Sequence, residues 1–270
     1  NIDFDHTELL GDSREAIATE KAGILRFEQQ VFCGDPLMPQ VIQDISEQLS
    51  AQLSCIHKDF NYQLNTDGTW QFKDAQHHFT ELYQSELHLN NVTTALACFL
   101  RLGIATHQAS INQSLKHIKI IGRSQYITGQ PNMLLDVAHN TQSLKRLRDN
   151  LAMLNKPCHM VFSILKNKPV DDAIQMLKPY VTKWFIAPVQ TERTIEKKEW
   201  QQLINKYQLP AKIFDSIELA YLCASSQISN NELLVICGSF HTVGEVIASK
   251  NTFNLINSLS EFGTMESTIT

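Results

Sequence analysis

Hydrophobic and polar positions follow a regular pattern in the second half of the chain. Five short apolar runs alternate with stretches in which apolar residues recur every three or four positions. Apolar runs of this length are typical of buried strands, and the longer periodicity is typical of helices. The predicted strands are residues 133–137, 159–164, 183–187, 212–215 and 233–237, and the predicted helices are residues 142–154, 170–179, 197–207, 217–225 and 242–250. This alternation predicts an α/β fold, a Rossmann-like doubly wound domain with a parallel sheet covered on both faces.

The first half of the chain has a less regular pattern. The predicted helices are residues 13–25, 38–49, 90–102 and 107–117, and the predicted strands are residues 30–33, 55–62 and 70–73, the last two flanking a turn at 66–68. We expect part of an α/β domain with a small antiparallel piece. The change in character between residues 119 and 123 predicts two domains, residues 1–121 and residues 122–270.

Composition narrows the class of protein. The chain has 270 residues, of which 43% are hydrophobic and 19% charged, as in ordinary globular proteins. The formal net charge of -5 argues against a nucleic-acid partner, and no apolar run is long enough to predict a membrane span. The six cysteines form no C-x-x-C pair, so we expect reduced, structural thiols and a cytoplasmic location, with Cys237 as a buried apolar residue.

Nucleotide-binding glycine motifs are absent from the sequence. Neither G-x-x-x-x-G-K-[ST] nor G-x-G-x-x-G occurs, and the 10 glycines amount to about half of average usage. The chain also begins at Asn1 without Met and without a signal peptide. We therefore expect a piece of a longer protein, in which any phosphate loop lies outside this chain.

The first candidate site is a polar segment at residues 3–8. Asp3, Asp5, Glu8 and His6 fall within six positions, which is compatible with the end of a polar loop or with a Mg²⁺ or Mn²⁺ site.

The predicted helix at 13–25 carries the second candidate. Asp12 with Glu15 three positions later predicts a capping box. Lys21 shares helical spacing with Ile17 and Ile24, so a lysine is expected on an apolar stripe. In one interpretation, the aliphatic part of the side chain packs against apolar residues while the ammonium reaches water. In the other, the ammonium is paired, chemically modified or used in a site.

Further candidates follow two predicted strands and the domain boundary. Ligands of open parallel sheets bind beyond the carboxyl ends of the strands, where Asp136 and His139 are expected. Asn140 is suited to cap the following helix, and these residues are equally compatible with an ordinary turn. Ser239 and His241 follow the last strand, where they contact a ligand or cap a helix. Arg123 is a cation suited to a phosphate.

These segments together resemble the folylpolyglutamate synthases, including the bifunctional dihydrofolate synthase/folylpolyglutamate synthases, of the Mur ligase superfamily. The matching blocks occur in the family's order and span almost the whole chain. They are DHTELLG at 5–11, REAI at 14–17, EKAGI at 20–24, NVTTALA at 91–97, GR at 122–123, LDVAHN at 135–140 and CGSFHTV at 237–243. The resemblance implies the C-terminal part of a Mur-ligase-type central ATPase domain, followed by a Rossmann-like C-terminal ligase domain.

The resemblance also implies an activity, an ATP-dependent ligation of L-glutamate to a folate or to dihydropteroate through an acyl phosphate. It implies ATP and Mg²⁺, with Mn²⁺ or K⁺ as alternative ions, and a monomeric protein. The implied metal ligands are His6 and a carbamylated Lys21, which is also implied in catalysis together with His139. The implied ATP-contacting residues are Asn91, Arg123 and Asp136, whereas Ser239 and His241 match a family block without an implied role.

Two other functions are compatible with the sequence. The first is a Mur-type peptidoglycan amino-acid ligase, although the blocks around Lys21 and His241 favour the folate branch. The second is a non-catalytic, Rossmann-like binding module. Because the implied phosphate loop lies before residue 1, we expect the chain alone to be inactive.

Overall fold

The structure is a computed structural model that describes residues 2, 10–11 and 13–248. The chain divides into two compact units, Asn1–Ile118 and Lys119–Thr270. Among the described residues, no helix combines the length and the apolar character needed to cross a membrane.

The first unit combines four helices and five strands in its described part. Their bounds are α1 Arg14–Ala22, β1 Gln30–Cys33, α2 Gln40–Gln48, β2 Gln52–Cys55, β3 Phe60–Leu64, β4 Trp70–Asp74, β5 His78–Leu82, α3 Leu89–Arg101 and α4 Gln108–His117. Strands β1 and β2 form a parallel pair, and β3, β4 and β5 form an antiparallel meander. The meander packs against α3 and α4 around the fully buried Trp70 and Phe72.

Two strand predictions for this unit are wrong. The predicted strand at 55–62 is two strands, because the chain turns at His57, which has a left-handed φ of 65°. Asp59 stabilises this turn by accepting a hydrogen bond from the Cys55 amide at 2.7 Å. Strand β5 is missing from the prediction, since only Phe79 and Leu82 of its residues are apolar and packed.

The start and the buried face of α1 also differ from the prediction. Ser13 caps the helix by accepting a hydrogen bond from the Ala16 amide at 3.1 Å, so the predicted Asp12 cap is wrong; Asp12 itself lies outside the described residues. The helix buries Ile17, Ala18 and Ala22 and ends at Gly23.

The second unit is built on a six-stranded sheet. Its elements are β6 Gln125–Ile127, β7 Met133–Asp136, α5 Thr141–Leu154, β8 Cys158–Phe162, α6 Val170–Leu177, a 3₁₀ turn at Lys178–Tyr180, β9 Val181–Ile186, α7 Lys197–Tyr207, β10 Ala211–Ile213, α8 Ile217–Gln227, β11 Leu233–Cys237 and α9 Phe240–Ala248. The strand order is β10-β9-β8-β11-β7-β6. All neighbours are parallel except the edge strand β6, which is antiparallel to β7 and was not predicted.

Helices cover both faces of this sheet. One face packs against α5, α6 and α7, and the opposite face packs against α8 and α9. Strands β7, β8 and β11 are buried at every position, which explains why their sequences are nearly continuous apolar runs. The predicted doubly wound, Rossmann-like fold is confirmed, with strand ends shifted by one or two residues.

The cysteines are free thiols in both units. Cys237 is fully buried in β11, as predicted, and Cys158 is fully buried in β8. Burial raises the pKa of the Cys158 thiol to about 12 and that of Cys55 to about 11.

Candidate active site

The carboxyl ends of β7 and β11 meet at one edge of the second unit's sheet. Asp136 and Cys237, the last residues of the two strands, are register partners. The helices that follow these strands lie on opposite faces of the sheet. The two strand ends therefore flank a topological switch point, the place where open α/β sheets bind ligands.

Asp136 is a fully buried carboxylate at this edge. Its Oδ2 atom accepts hydrogen bonds from the amide and the hydroxyl of Ser124, at 3.1 and 3.0 Å. Its Oδ1 atom accepts a third bond from the Ala138 amide at 2.9 Å. These three bonds hold the carboxylate in a fixed orientation.

A second set of polar groups surrounds this carboxylate. Asn150 donates a hydrogen bond from Nδ2 to the Ser124 hydroxyl at 3.0 Å, and the buried Nε of Arg146 has no hydrogen-bond partner within the described residues. Burial raises the pKa of Asp136, while the charge of Arg146 and the bonds from Ser124 oppose that rise. A direct contact with a ligand requires displacement of the groups that cover Asp136.

Arg123 enters the same edge from the turn before β6. Gly122 adopts a left-handed φ of 70°, and its carbonyl accepts a hydrogen bond from the Val137 amide at 2.8 Å. A Cβ atom at Gly122 would lie 2.9 Å from the side chain of Val137, so the close approach of this turn to β7 requires glycine. The turn therefore fixes the start of the Arg123 side chain beside the Asp136 strand.

His139 and Asn140 connect β7 to α5. Asn140 caps α5, as predicted, in a capping box with Ser143: its Oδ1 accepts the Ser143 amide at 3.0 Å. The Nδ1 atom of His139 lies 2.7 Å from the carbonyl oxygen of Val137. Since that oxygen only accepts, Nδ1 carries the proton in this arrangement.

The last strand ends in a turn that Gly238 makes possible. Gly238 has a φ of 109°, and a Cβ atom there would lie 2.4 Å from the carbonyl oxygen of Ser163. Ser239 is buried and accepts a hydrogen bond from the Thr242 amide at 3.0 Å, so it caps α9. His241 is exposed on the first turn of the same helix. Of the two uses predicted for Ser239, the structure supports the helix cap.

Phe240 contacts two of the predicted residues of this unit, Arg123 and His139. The Arg123 guanidinium carbon lies 5.3 Å from the centroid of the Phe240 ring, and the His139 ring centroid lies 5.7 Å from it. Arg123, Asp136 and His139 therefore converge on one edge of the sheet.

The predicted residues of the first unit lie on two different helices. Lys21 is in the last turn of α1 and Asn91 is near the start of α3, and both are exposed. The prediction that Lys21 shares a buried stripe with Ile17 and Ile24 is wrong. Ile17 is buried, but the helix ends before Ile24, which is 75% exposed, and Lys21 points away from the buried face.

His6 and the acidic segment at 3–8 lie outside the described residues. Within residues 2, 10–11 and 13–248, no group of three or more His, Cys, Asp and Glu side chains has the arrangement of a metal site. The metal ligands expected at His6 and Lys21 remain predictions.

Four residues of the site were missed by the sequence reasoning. Ser124 follows Arg123 directly, and Phe240 lies within the block of Ser239 and His241. Arg146 and Asn150 extend the face of α5 that begins at Ser143, so helical spacing was the available signal. These residues come together at Asp136 and at the edge of the sheet formed by β7 and β11. Only the strand order reveals that these two strands are neighbours.

Comparison with known proteins agrees with this architecture. The family described as "Mur ligase, glutamate ligase domain" matches residues 122–240. The dihydrofolate synthase/folylpolyglutamate synthase of Escherichia coli is 30% identical over 249 residues, which cover 92% of this chain and 58% of that protein. The corresponding protein of Haemophilus influenzae is 28% identical, with 91% and 61% covered.

Solved structures give the same result. E. coli FolC in complex with DHPP and ADP superimposes with a TM-score of 0.83 at 30% identity, covering 96% of this chain and 60% of that one. A bifunctional folylpolyglutamate synthase/dihydrofolate synthase from Yersinia pestis, complexed with AMPPNP and Mn ion, has a TM-score of 0.81 at 30% identity, with 93% and 60% covered. The chain thus spans about three fifths of the length of these relatives. Over nearly its whole length the chain is similar to the dihydrofolate synthase/folylpolyglutamate synthases, and its residues 122–240 match the glutamate ligase domain of the Mur ligase family.

Proposed function

We propose that the protein containing this chain is an ATP-dependent ligase that adds L-glutamate to folates and to dihydropteroate. The observation that carries the proposal is the convergence of Arg123, Asp136 and His139 at the switch point of a domain homologous to glutamate ligases. In the proposed reaction, a substrate carboxylate takes the γ-phosphoryl group of ATP and releases ADP. The amine of glutamate then attacks the acyl phosphate, forms the amide and displaces phosphate.

Within this mechanism, Arg123 binds a phosphate of the nucleotide. Its guanidinium is partly exposed and, among the described residues, forms no ion pair with a carboxylate, so its hydrogen-bond donors are available to an anion. Asn91 and Asp136 contact the nucleotide, the latter after its cover has moved. His139, in the connection that follows Asp136, interacts with the nucleotide or with the incoming glutamate.

A divalent cation, Mg²⁺ or Mn²⁺, neutralises phosphate charge when bound. The related Y. pestis enzyme was solved with Mn, which supports a divalent ion in this protein. The described side chains do not form a metal site by themselves. We assign the metal to His6 and to Lys21 in its carbamylated form, in which a carboxylate replaces the ammonium. The exposure of Lys21 makes its amine accessible to carbon dioxide.

The decisive experiment is a substrate panel with the full-length protein. Turnover of glutamate and ATP with dihydropteroate or tetrahydrofolate is expected. Turnover only with a UDP-linked muramoyl acceptor would instead indicate a peptidoglycan ligase, and nucleotide binding without turnover would indicate a binding module.

The role of Lys21 has its own test in the same protein. Lys21→Ala is expected to nearly abolish ligation, and added short carboxylates are expected to restore part of it. Lys116→Ala, at another exposed lysine of the first unit, is the matched control. Normal activity of Lys21→Ala would exclude the carbamate.

We further propose a cytoplasmic, monomeric protein. The free state of all six cysteines supports a reducing compartment. The molar mass in solution, measured by light scattering, tests the monomer, and a dimer mass would exclude it.

A further inference from the structure

Phe240 is an exposed aromatic residue at the candidate active site. Its side chain is 58% exposed, although it directly follows a strand and a turn that are buried throughout. An isolated exposed phenylalanine needs no explanation by itself. Here, however, the ring contacts two of the three residues that converge at the site, Arg123 and His139.

The two contacts differ in kind. The Arg123 guanidinium lies over the ring at 5.3 Å from its centroid, within the distance at which a cation is attracted by the negative face of an aromatic ring. His139 approaches at 5.7 Å between centroids with an interplanar angle of 53°, a tilted arrangement that aromatic pairs favour. One phenyl ring therefore contacts both the arginine turn and the β7–α5 connection.

The backbone around Phe240 fixes the position of the ring. Gly238 makes the turn, and the cap formed by Ser239 and Thr242 sets Phe240 as the first residue of α9. One turn along the helix, Val243 packs close to Gly122, immediately before Arg123. The ring and the guanidinium are thus brought together by buried contacts of their neighbours, independently of any ligand.

We propose that Phe240 is a positioning residue that orients Arg123 and His139 for the nucleotide and glutamate. The inference rests on the proposed function, because the roles of Arg123 and His139 belong to it. A long arginine side chain loses rotamer freedom when it binds a phosphate. The ring restricts that freedom beforehand, so the nucleotide meets a guanidinium that is already oriented.

The contact is tested first without reference to activity. In NMR spectra of this chain, the ring protons of His139, assigned with His139→Gln, lie in the ring-current field of Phe240. Phe240→Leu keeps an apolar side chain and removes the ring, so these resonances are expected to move. Phe240→Tyr keeps the ring, so they are expected to stay close to their original positions. Unchanged resonances in Phe240→Leu would overturn the contact.

The role is tested by steady-state kinetics of the full-length protein. Phe240→Leu is expected to raise KM for ATP by about two- to fivefold, the range of an exposed cation–π contact, with kcat nearly unchanged. Phe240→Tyr is expected to restore KM. The thermal midpoint is expected to stay constant because the side chain is exposed. Leu219→Ala, at a 49% exposed position of the same unit, is the control with unchanged kinetics.

The outcomes separate this inference from the proposed function. An active protein in which Phe240→Leu has the normal KM for ATP would overturn the positioning role and leave the proposed function standing. A parallel fall of activity and thermal midpoint in both Phe240→Leu and Phe240→Tyr would show a purely structural residue. A wild-type protein without ligase activity would overturn the proposed function, and the positioning role with it.

Discussion

Replacement of Gly238 by alanine tests the turn on which Ser239 and Phe240 depend. The φ of 109° lies outside the range that side chains with a Cβ adopt readily, at a cost of about 1–2 kcal/mol. The new Cβ would also lie 2.4 Å from the Ser163 carbonyl oxygen, which accepts a hydrogen bond from the Thr242 hydroxyl at 2.8 Å. Displacing that carbonyl weakens a buried hydrogen bond worth about 0.5–1.5 kcal/mol. Together the two effects predict a loss of about 2–3 kcal/mol in the free energy of unfolding.

Urea denaturation followed by circular dichroism measures this loss, and two other glycines separate its causes. Gly103 has a φ of 70° and open space around its Cβ position, so Gly103→Ala is expected to cost about 1 kcal/mol from the backbone alone. Gly244 lies within α9 with open space and no positive φ, so Gly244→Ala is expected to stabilise by about 0.5–1 kcal/mol. A Gly238→Ala variant that loses no more stability than Gly103→Ala would refute the steric part of the reasoning.

Three further predictions concern buried polar groups and a helix cap. Burial lowers the pKa of His159 from its usual 6.5, so the unfolded chain takes up a proton that the folded chain resists. Stability should fall as the pH drops below 6.5, and His159→Gln should flatten that slope in urea titrations, while the nearby Glu232 carboxylate limits the size of the effect. Asp35→Ala removes a buried carboxylate paired with Arg14 at 3.1 Å and should cost about 2–3 kcal/mol in urea denaturation. Asn140→Ala removes the α5 cap and should cost about 1 kcal/mol by the same assay.

Exposed positions supply controls for these variants. Met153→Ala in the second unit is 85% exposed, and Leu64→Ala in the first is 52% exposed, so both are expected to change stability by less than about 0.5 kcal/mol. An unchanged pH slope in His159→Gln would contradict the first prediction. If Asp35→Ala or Asn140→Ala lowered the free energy of unfolding by no more than these control variants do, the corresponding prediction would be contradicted.

The sequence predicted the second unit better than the first for a physical reason. Strands buried on both faces, such as β8 and β11, are continuous apolar runs and are recognised directly. Strands β2, β3 and β5 of the first unit each bury a single residue, so their sequences carry little apolar signal, and β5 is missing from the prediction while β2 and β3 are merged in it. Local periodicity also predicts Lys21 on an apolar stripe with Ile17 and Ile24, because it continues the helix past Gly23, where the helix ends.

The candidate site was likewise predictable only in part. Arg123, Asp136 and His139 were predicted because they follow strand ends or match a block, and the structure brings them together. The contact of Phe240 with Arg123 joins residues more than a hundred positions apart. It arises because β11 inserts between β8 and β7, and no local pattern carries that strand order.

The distribution of free thiols has a practical consequence. Each unit holds two buried cysteines and one that is partly exposed, with Cys98 and Cys223 being the partly exposed ones. Thiolates, not thiols, react with alkylating agents, and burial both shields Cys158 and keeps it protonated. Alkylation of Cys158 and Cys237 therefore requires the second unit to open, and alkylation of Cys55 requires the first to open. Peptide mapping after pulsed alkylation would follow the opening of each unit separately, without any engineered label.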